Sequence, residues 1–134
     1  MSTNFRTIWT TPERDIEVID QRQLPHEFVV VKLKTYKDAD LAIKSMTVRG
    51  APLIGATAAY GVFLAVRELI EKGYEGAFLD EAFSTLRASR PTAVNLFWAL
   101  DRMQAALDEA DDFLEAAWNE ANLIVEQDID TCRL

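Results

Sequence analysis

The sequence predicts an α+β fold, mainly α, in which a small three-stranded antiparallel sheet precedes a bundle of about five helices. Three observations predict it. Apolar, β-branched runs of strand length are confined to residues 1–34. Beyond Thr35 the apolar residues recur at steps of three and four. Helix starts and stops then punctuate that second region, residues 35–134, at regular intervals.

The stretches RTIWT (6–10) and DIEVID (15–20) flank TPERD, whose proline and charged residues suit a turn, so they predict a hairpin. EFVVVKL (27–33) predicts the third strand. Thr35 and Asp38 have the spacing of a reciprocal cap, which starts a helix near Tyr36 with Leu41, Ile43 and Met46 on or near its buried side. Pro52 suits the first position of the next helix, which runs to about Glu71 and stops at Lys72-Gly73. A third helix is expected from about Asp80 to Ala88, with Leu79, Ala82, Phe83 and Leu86 on one side. Ser89-Arg90-Pro91 ends it, because the residue before a proline is pushed out of the helical region. Thr92 caps a fourth helix bearing Val94, Phe97, Trp98, Leu100 and Leu107. Asp111-Asp112 opens a fifth, where Leu114, Trp118, Ala121, Val125 and Ile129 share a face. That last helix reads on through DIDTCRL without a glycine or proline stop, so the chain is expected to end within an element.

Composition narrows the function classes. With 134 residues, 49% hydrophobic and 27% charged, the chain fits one globular domain. Its net charge of -8 argues against nucleic acid and anionic membrane as partners, since both call for a basic surface. A small anionic ligand stays open, because it needs only a few local positive groups. The single cysteine, Cys132, builds neither a disulfide framework nor a zinc site, which fits a reducing, cytoplasmic setting. The start MSTNFRTIWT has no apolar core of a secretory signal. The uncharged run 50–66 approaches the length of a membrane span, but its Gly, Ala and Thr content argues for a buried helix.

The stretch VRGAPLIGATAAYG (48–61) carries the strongest chemical signal. Arg49, Gly50 and Ala51 stand directly ahead of a helix starting at Pro52. A first helical turn has unpaired N–H groups and the positive end of the macrodipole, both of which attract an anion. Gly50 lets a ligand approach the backbone, and Arg49 adds a guanidinium fork that matches phosphate oxygens. A structural alternative has Gly50 turn the chain while Arg49 pairs with a surface carboxylate. Gly55, Ala58, Ala59 and Gly61 read as close packing between backbones. Arg90 repeats the relation ahead of the helix capped by Thr92, and two such arginines can converge on one phosphate.

Other residues carry weaker signals. His26 stands alone without clustered ligands, so a structural role is expected. Cys132 has no activating histidine near it in sequence. Asp108, Glu109, Asp111, Asp112 and Glu115 read as a solvated helix junction, so no metal site is expected. Tyr60, Phe63, Phe97, Trp98 and Trp118 read as core, and Asn95 as a capping residue.

MTVRGAPLIGATAAYG (46–61) and SRPTAVNLFWALDRM (89–103) closely resemble the N-terminal half of the methylthioribose-1-phosphate isomerases. These share a superfamily with ribose-1,5-bisphosphate isomerases and with regulatory subunits of the eukaryotic initiation-factor exchange factor. IDQRQLPHEF (19–28) and IVEQDIDTCRL (124–134) fit the same family in order, so the resemblance covers essentially the whole chain. It implies an aldose–ketose isomerase of methionine salvage, converting 5-methylthioribose 1-phosphate to 5-methylthioribulose 1-phosphate without a cofactor. It also implies a homodimer whose small N-terminal domain precedes a larger Rossmann-like domain. The family's substrate-binding residues fall on Arg49, Gly50, Ala51 and Arg90. Its catalytic cysteine and aspartate belong to the C-terminal domain, so no catalytic residue is assigned in this chain and Cys132 is not given that role. The expected organisation is thus one N-terminal domain over 1–134, β-rich in 1–34 and helical in 35–134, inactive by itself and with the C-terminal catalytic domain absent. The rival expectation is a non-enzymatic initiation factor 2B-like interaction domain.

Overall fold

The computed structural model describes residues 8–20, 29–45, 51–90 and 94–132, with side chains throughout these segments except at 51, 52 and 128–132. Strands β1 (Ile8–Thr10), β2 (Ile16–Ile19) and β3 (Val30–Leu33) pair antiparallel in the order β1-β2-β3. The expected turn joins the first two. Thr11 accepts the Asp15 N–H on its hydroxyl at 3.1 Å, and the Arg14 N–H reaches the Thr11 carbonyl at 2.9 Å. Ile16 and Val18 alternate inward while Glu17 faces Trp9 across the ladder, accepting its indole N–H at 2.8 Å.

Five helices follow among the described residues: α1 (Tyr36–Lys44), α2 (Ala51–Lys72), α3 (Ala77–Arg87), α4 (Val94–Asp108) and α5 (Phe113–Cys132). The Thr35 cap is present as expected. Its hydroxyl accepts the Asp38 N–H, and the Asp38 carboxylate accepts the N–H groups of Lys34 and Thr35. α2 ends at Lys72, followed by Gly73 at φ +68, the left-handed stop that a glycine supplies. Its start is one residue earlier than Pro52 suggests. The Thr92 cap, Met46 and His26 lie outside the described residues.

α2 is the axis of the bundle and packs on every other helix. Phe63, Leu64, Ala65 and Val66 are all buried, and 78% of its apolar span lies inside the protein, as a core helix should. Its small residues do the packing expected of them. A Cβ on Gly61 would lie 3.0 Å from the Ala39 Cβ of α1 and 3.2 Å from the terminal methyls of Leu86 in α3. α2 and α3 are joined by a short turn and pack as a hairpin, and α5 returns along α2 with Asn122 level with Tyr60 and Trp118 against Phe63.

Four expectations need correcting. Leu41 is 62% exposed, because α1 meets α2 through Tyr36, Ala39, Ala42 and Ile43, and the close approach at Gly61 selects alanine there. Val94 and Trp98 are 75% and 41% exposed. α4 buries Leu96, Ala99, Leu100, Met103 and Leu107, which leaves the 94/98 positions outside. Trp98 is covered by the Arg102 guanidinium, 5.0 Å from its ring centroid, rather than by core. α3 begins three residues ahead of Asp80, at Ala77. The Glu75 and Gly76 carbonyls accept its first N–H groups, and no capping side chain marks the start.

Candidate functional site

The helix directions decide which connections share an end of the bundle. α3 returns along α2, so Leu86 is level with Gly61 and the α3 terminus lies towards the α2 start. α4 leaves from that end, with Asp101 accepting from Arg87 at 3.0 Å and Phe97 under the same guanidinium. The end of α3 and the start of α4 therefore lie together on the α2-start side of Gly61, away from Arg67, which ties the sheet hairpin.

Arg90 is half-buried at this end, three residues beyond the last of α3. The backbone of Ala51 opens α2 there. Arg49 and Gly50 lie outside the described residues, as do the side chains of Ala51, Pro52 and Cys132. The segment before Arg90 is firmly held. The Ala88 N–H donates to the Ser84 carbonyl at 3.1 Å, and the Ser89 N–H to that of Leu86 at 3.1 Å. Ser89 and Asp40 of α1 are buried and hydrogen-bonded to each other. Sequence reasoning missed this pair. An aspartate on a helix that also carries Lys37, Asp38 and Lys44 reads as surface, and only the packing of α1 on α3 buries it.

The electrostatics of that end set it apart in a chain with 22 acidic residues. α1, α3 and α5 carry Asp38, Asp80 and Glu115 in their first turns, where a carboxylate answers the helix dipole. The first turns of α2 and α4 carry no acid. Thr57, fully buried in α2, donates to the Leu53 carbonyl at 2.8 Å and so takes no part in the helix end. No group of metal-ligating side chains occurs among the described residues, and Asp108, Glu109, Asp111, Asp112 and Glu115 are exposed as expected.

Comparison with known proteins matches residues 47–134 to the model of the Initiation factor 2 subunit family. The chain is 57% identical over 106 residues to a methylthioribose-1-phosphate isomerase of Paramagnetospirillum magneticum, spanning 78% of this chain and 28% of that protein. It is 45% identical over 135 residues to another so named from Desulfatibacillum aliphaticivorans, spanning 96% of this chain and 36% of that one. The chain thus spans about a third of the length of the relatives it matches. Among solved structures, the translation initiation factor eIF-2B subunit delta from A. fulgidus superposes with a TM-score of 0.76 at 33% identity, over 95% of this chain and 38% of its own. The 5-methylthioribose 1-phosphate isomerase from Pyrococcus horikoshii does so with a TM-score of 0.68 at 34% identity, over 97% and 39%. With two thirds of its length matched by the family model and the fold shared with solved members, this chain belongs to the Initiation factor 2 subunit family.

Proposed function

We propose that the chain is the N-terminal, substrate-gripping domain of an aldose–ketose isomerase acting on 5-methylthioribose 1-phosphate. The observation that carries this reading is the half-buried Arg90 between the end of α3 and the start of α4, together with first turns of α2 and α4 that are free of acidic residues. Unpaired N–H groups, aligned peptide dipoles and a guanidinium suit a phosphate dianion, and nearby carboxylates would repel it. The relatives at 45–57% identity are named for a phosphorylated pentose, which supplies such a group.

In this reading Arg49 and Arg90 grip the phosphate, and Gly50 and Ala51 let it approach the backbone. Isomerisation moves hydrogen between C1 and C2 of the opened sugar, which needs an acid–base pair. Two arginines hold a substrate but do not carry its proton. The catalytic cysteine and aspartate that the family resemblance implies come from a C-terminal domain, and the working enzyme is a cytoplasmic homodimer with no cofactor.

A titration of the 134-residue chain with 5-methylthioribose 1-phosphate at low and high salt tests the reading. Arg90→Ala should weaken binding by roughly tenfold or more and flatten its salt dependence. Unchanged affinity and salt slope would remove Arg90 from the site. The chain alone should show no turnover, and isomerisation at the rate of a full-length relative would overturn the division of labour. A second reading has its own support. The closer superposition, at TM-score 0.76, is on an initiation-factor subunit, which favours a regulatory domain that binds protein and no sugar. Absence of saturable phosphosugar binding in the unmodified chain selects that reading.

A further inference from the structure

We infer that the cleft between the β1–β2 turn, the β3–α1 junction and the last turns of α2 binds a small amino acid zwitterion, with its ammonium on Glu68 and its carboxylate on Lys34. The cleft lies towards the sheet, so the inference stands apart from the phosphate reading at Arg90. It has a volume of about 550 Å³ and is lined by Thr35, Leu64 and equal numbers of basic and acidic side chains. A ligand bearing a single charge meets like charges in such a lining. A ligand with one charge of each sign finds a partner for both.

The pairings within the lining decide which groups are left to meet that ligand. Arg67 is taken up, since it donates to the Arg14 carbonyl at 2.9 Å and to Asp15 at 3.3 Å. Lys32 lies between Asp15 and Glu17, at 3.9 and 4.0 Å. Glu68 is only half-used. Its side chain is 17% exposed, and one carboxylate oxygen, Oε2, lies 3.8 Å from the Lys72 ammonium one turn along α2. The other, Oε1, is buried and accepts no hydrogen bond from the described residues. A buried carboxylate oxygen without a donor is costly and rare in folded proteins, so this one calls for a donor from outside the chain. An ammonium serves it better than a neutral donor, because hydrogen bonds between ionised partners are the stronger ones. Lys34 is the complement. It is exposed at the β3–α1 junction, and its ammonium has no ion-pair partner among the described residues. Its backbone N–H donates to the Asp38 carboxylate at 2.8 Å, which fixes the residue beside the cleft. One lysine balances the single charge of a carboxylate, whereas a phosphate dianion in so acidic a lining keeps an excess of negative charge.

L-alanine and 4-aminobutanoate, which differ in the separation of their two charges, are titrated into the 134-residue chain while the backbone amides of Lys34 and residues 67–72 are followed by NMR. Butanoate and butylamine serve as single-charge controls. At least one zwitterion should shift these amides saturably, with both controls bound at least about tenfold more weakly. Glu68→Gln and Lys34→Met should each weaken the zwitterion by about tenfold, since each removes one charge-assisted bond. Without ligand, Glu68→Gln should keep or raise the urea midpoint, because it replaces a carboxylate with a bare buried oxygen by a neutral amide. Its loss of binding is then not unfolding. Arg90→Ala should leave the zwitterion affinity within about twofold, which separates this cleft from the phosphate site. Equal binding of butanoate or butylamine overturns the proposal, as does full affinity in either cleft variant. A markedly lower midpoint in Glu68→Gln does so too, since it would show Oε1 already supplied with a donor. With no saturable shift from either zwitterion, the cleft holds water alone and the proposal falls.

Discussion

Tyr36 opens α1 with its ring buried, edge-on to Phe78 at a centroid distance of 5.4 Å. Burial pushes its phenol above the ordinary value of 10.0, Glu81, Glu68 and Asp40 push the same way, and a hydrogen bond with Thr85 opposes them. The consequence for stability has a definite sign. Below the ordinary value both folded and unfolded chains keep the proton, and the residue contributes nothing to pH dependence. As pH rises past 10.0 the unfolded chain ionises first while the folded one still holds its proton, so stability falls until the raised folded value is passed. Tyr36→Phe removes that group and leaves the ring. The urea midpoint of the unmodified chain should therefore drop more steeply than that of Tyr36→Phe between about pH 9 and 11. Parallel slopes would show that the phenol titrates alike in both states. Near neutral pH the variant should be weaker by only about 1 kcal/mol, the net worth of the lost bond to Thr85.

The α2–α3 turn sets two glycines three residues apart, and they should respond oppositely to the same change. Gly73 sits at φ +68, where a Cβ is strained even though nothing lies within 4 Å, so Gly73→Ala should destabilise by about 1 kcal/mol. Gly76 is also surrounded by open space but has φ -57 and ψ -28, already helical. Gly76→Ala should stabilise by roughly 0.4–1 kcal/mol, mainly by restricting the unfolded chain. Denaturant midpoints of the two variants check the pair, and a shift of the same sign in both would refute it. These glycines also mark how far the elements are legible in sequence. Lys72-Gly73 announces the end of α2 and Thr35 with Asp38 the start of α1, because both signals are local hydrogen-bond chemistry. The start of α3 is hidden because backbone carbonyls do the capping. Leu41, Val94 and Trp98 mislead because exposure is decided by which face a neighbour covers, and at α1 that choice followed Gly61 and Ala39. Arg90 stands out in the sequence through its relation to Pro91 and Thr92. The Asp40–Ser89 bond does not, since it joins residues far apart in sequence.

At the scale of the whole molecule, the bundle has two ends of different character, with α2 running between them. The sheet end is tied by paired charges. Arg67 of α2 donates to the Arg14 carbonyl at 2.9 Å and to Asp15 at 3.3 Å, while Arg14 bonds Glu115 at 2.5 Å and lies 5.0 Å over Trp118 of α5. Arg14 holds this place in a left-handed conformation, φ 65, and its guanidinium is held above its ordinary range chiefly by the bond to Glu115. The hairpin is thus fastened to α2 and α5 through one polar joint. The first turn of α2 lies about 24 Å from Arg67 along the helix, at 1.5 Å per residue, beyond the reach of screened charge at physiological salt. Arg67→Ala should loosen the joint, costing roughly 1–3 kcal/mol and speeding amide exchange in β1 and β2. Phosphate affinity at Arg90 should stay within about twofold of the unmodified chain, because sites so far apart with no shared partner behave independently. Exchange in the hairpin and a phosphate titration of the same variant decide the matter. A parallel loss of affinity would mean that α2 transmits strain from the sheet to the proposed phosphate site.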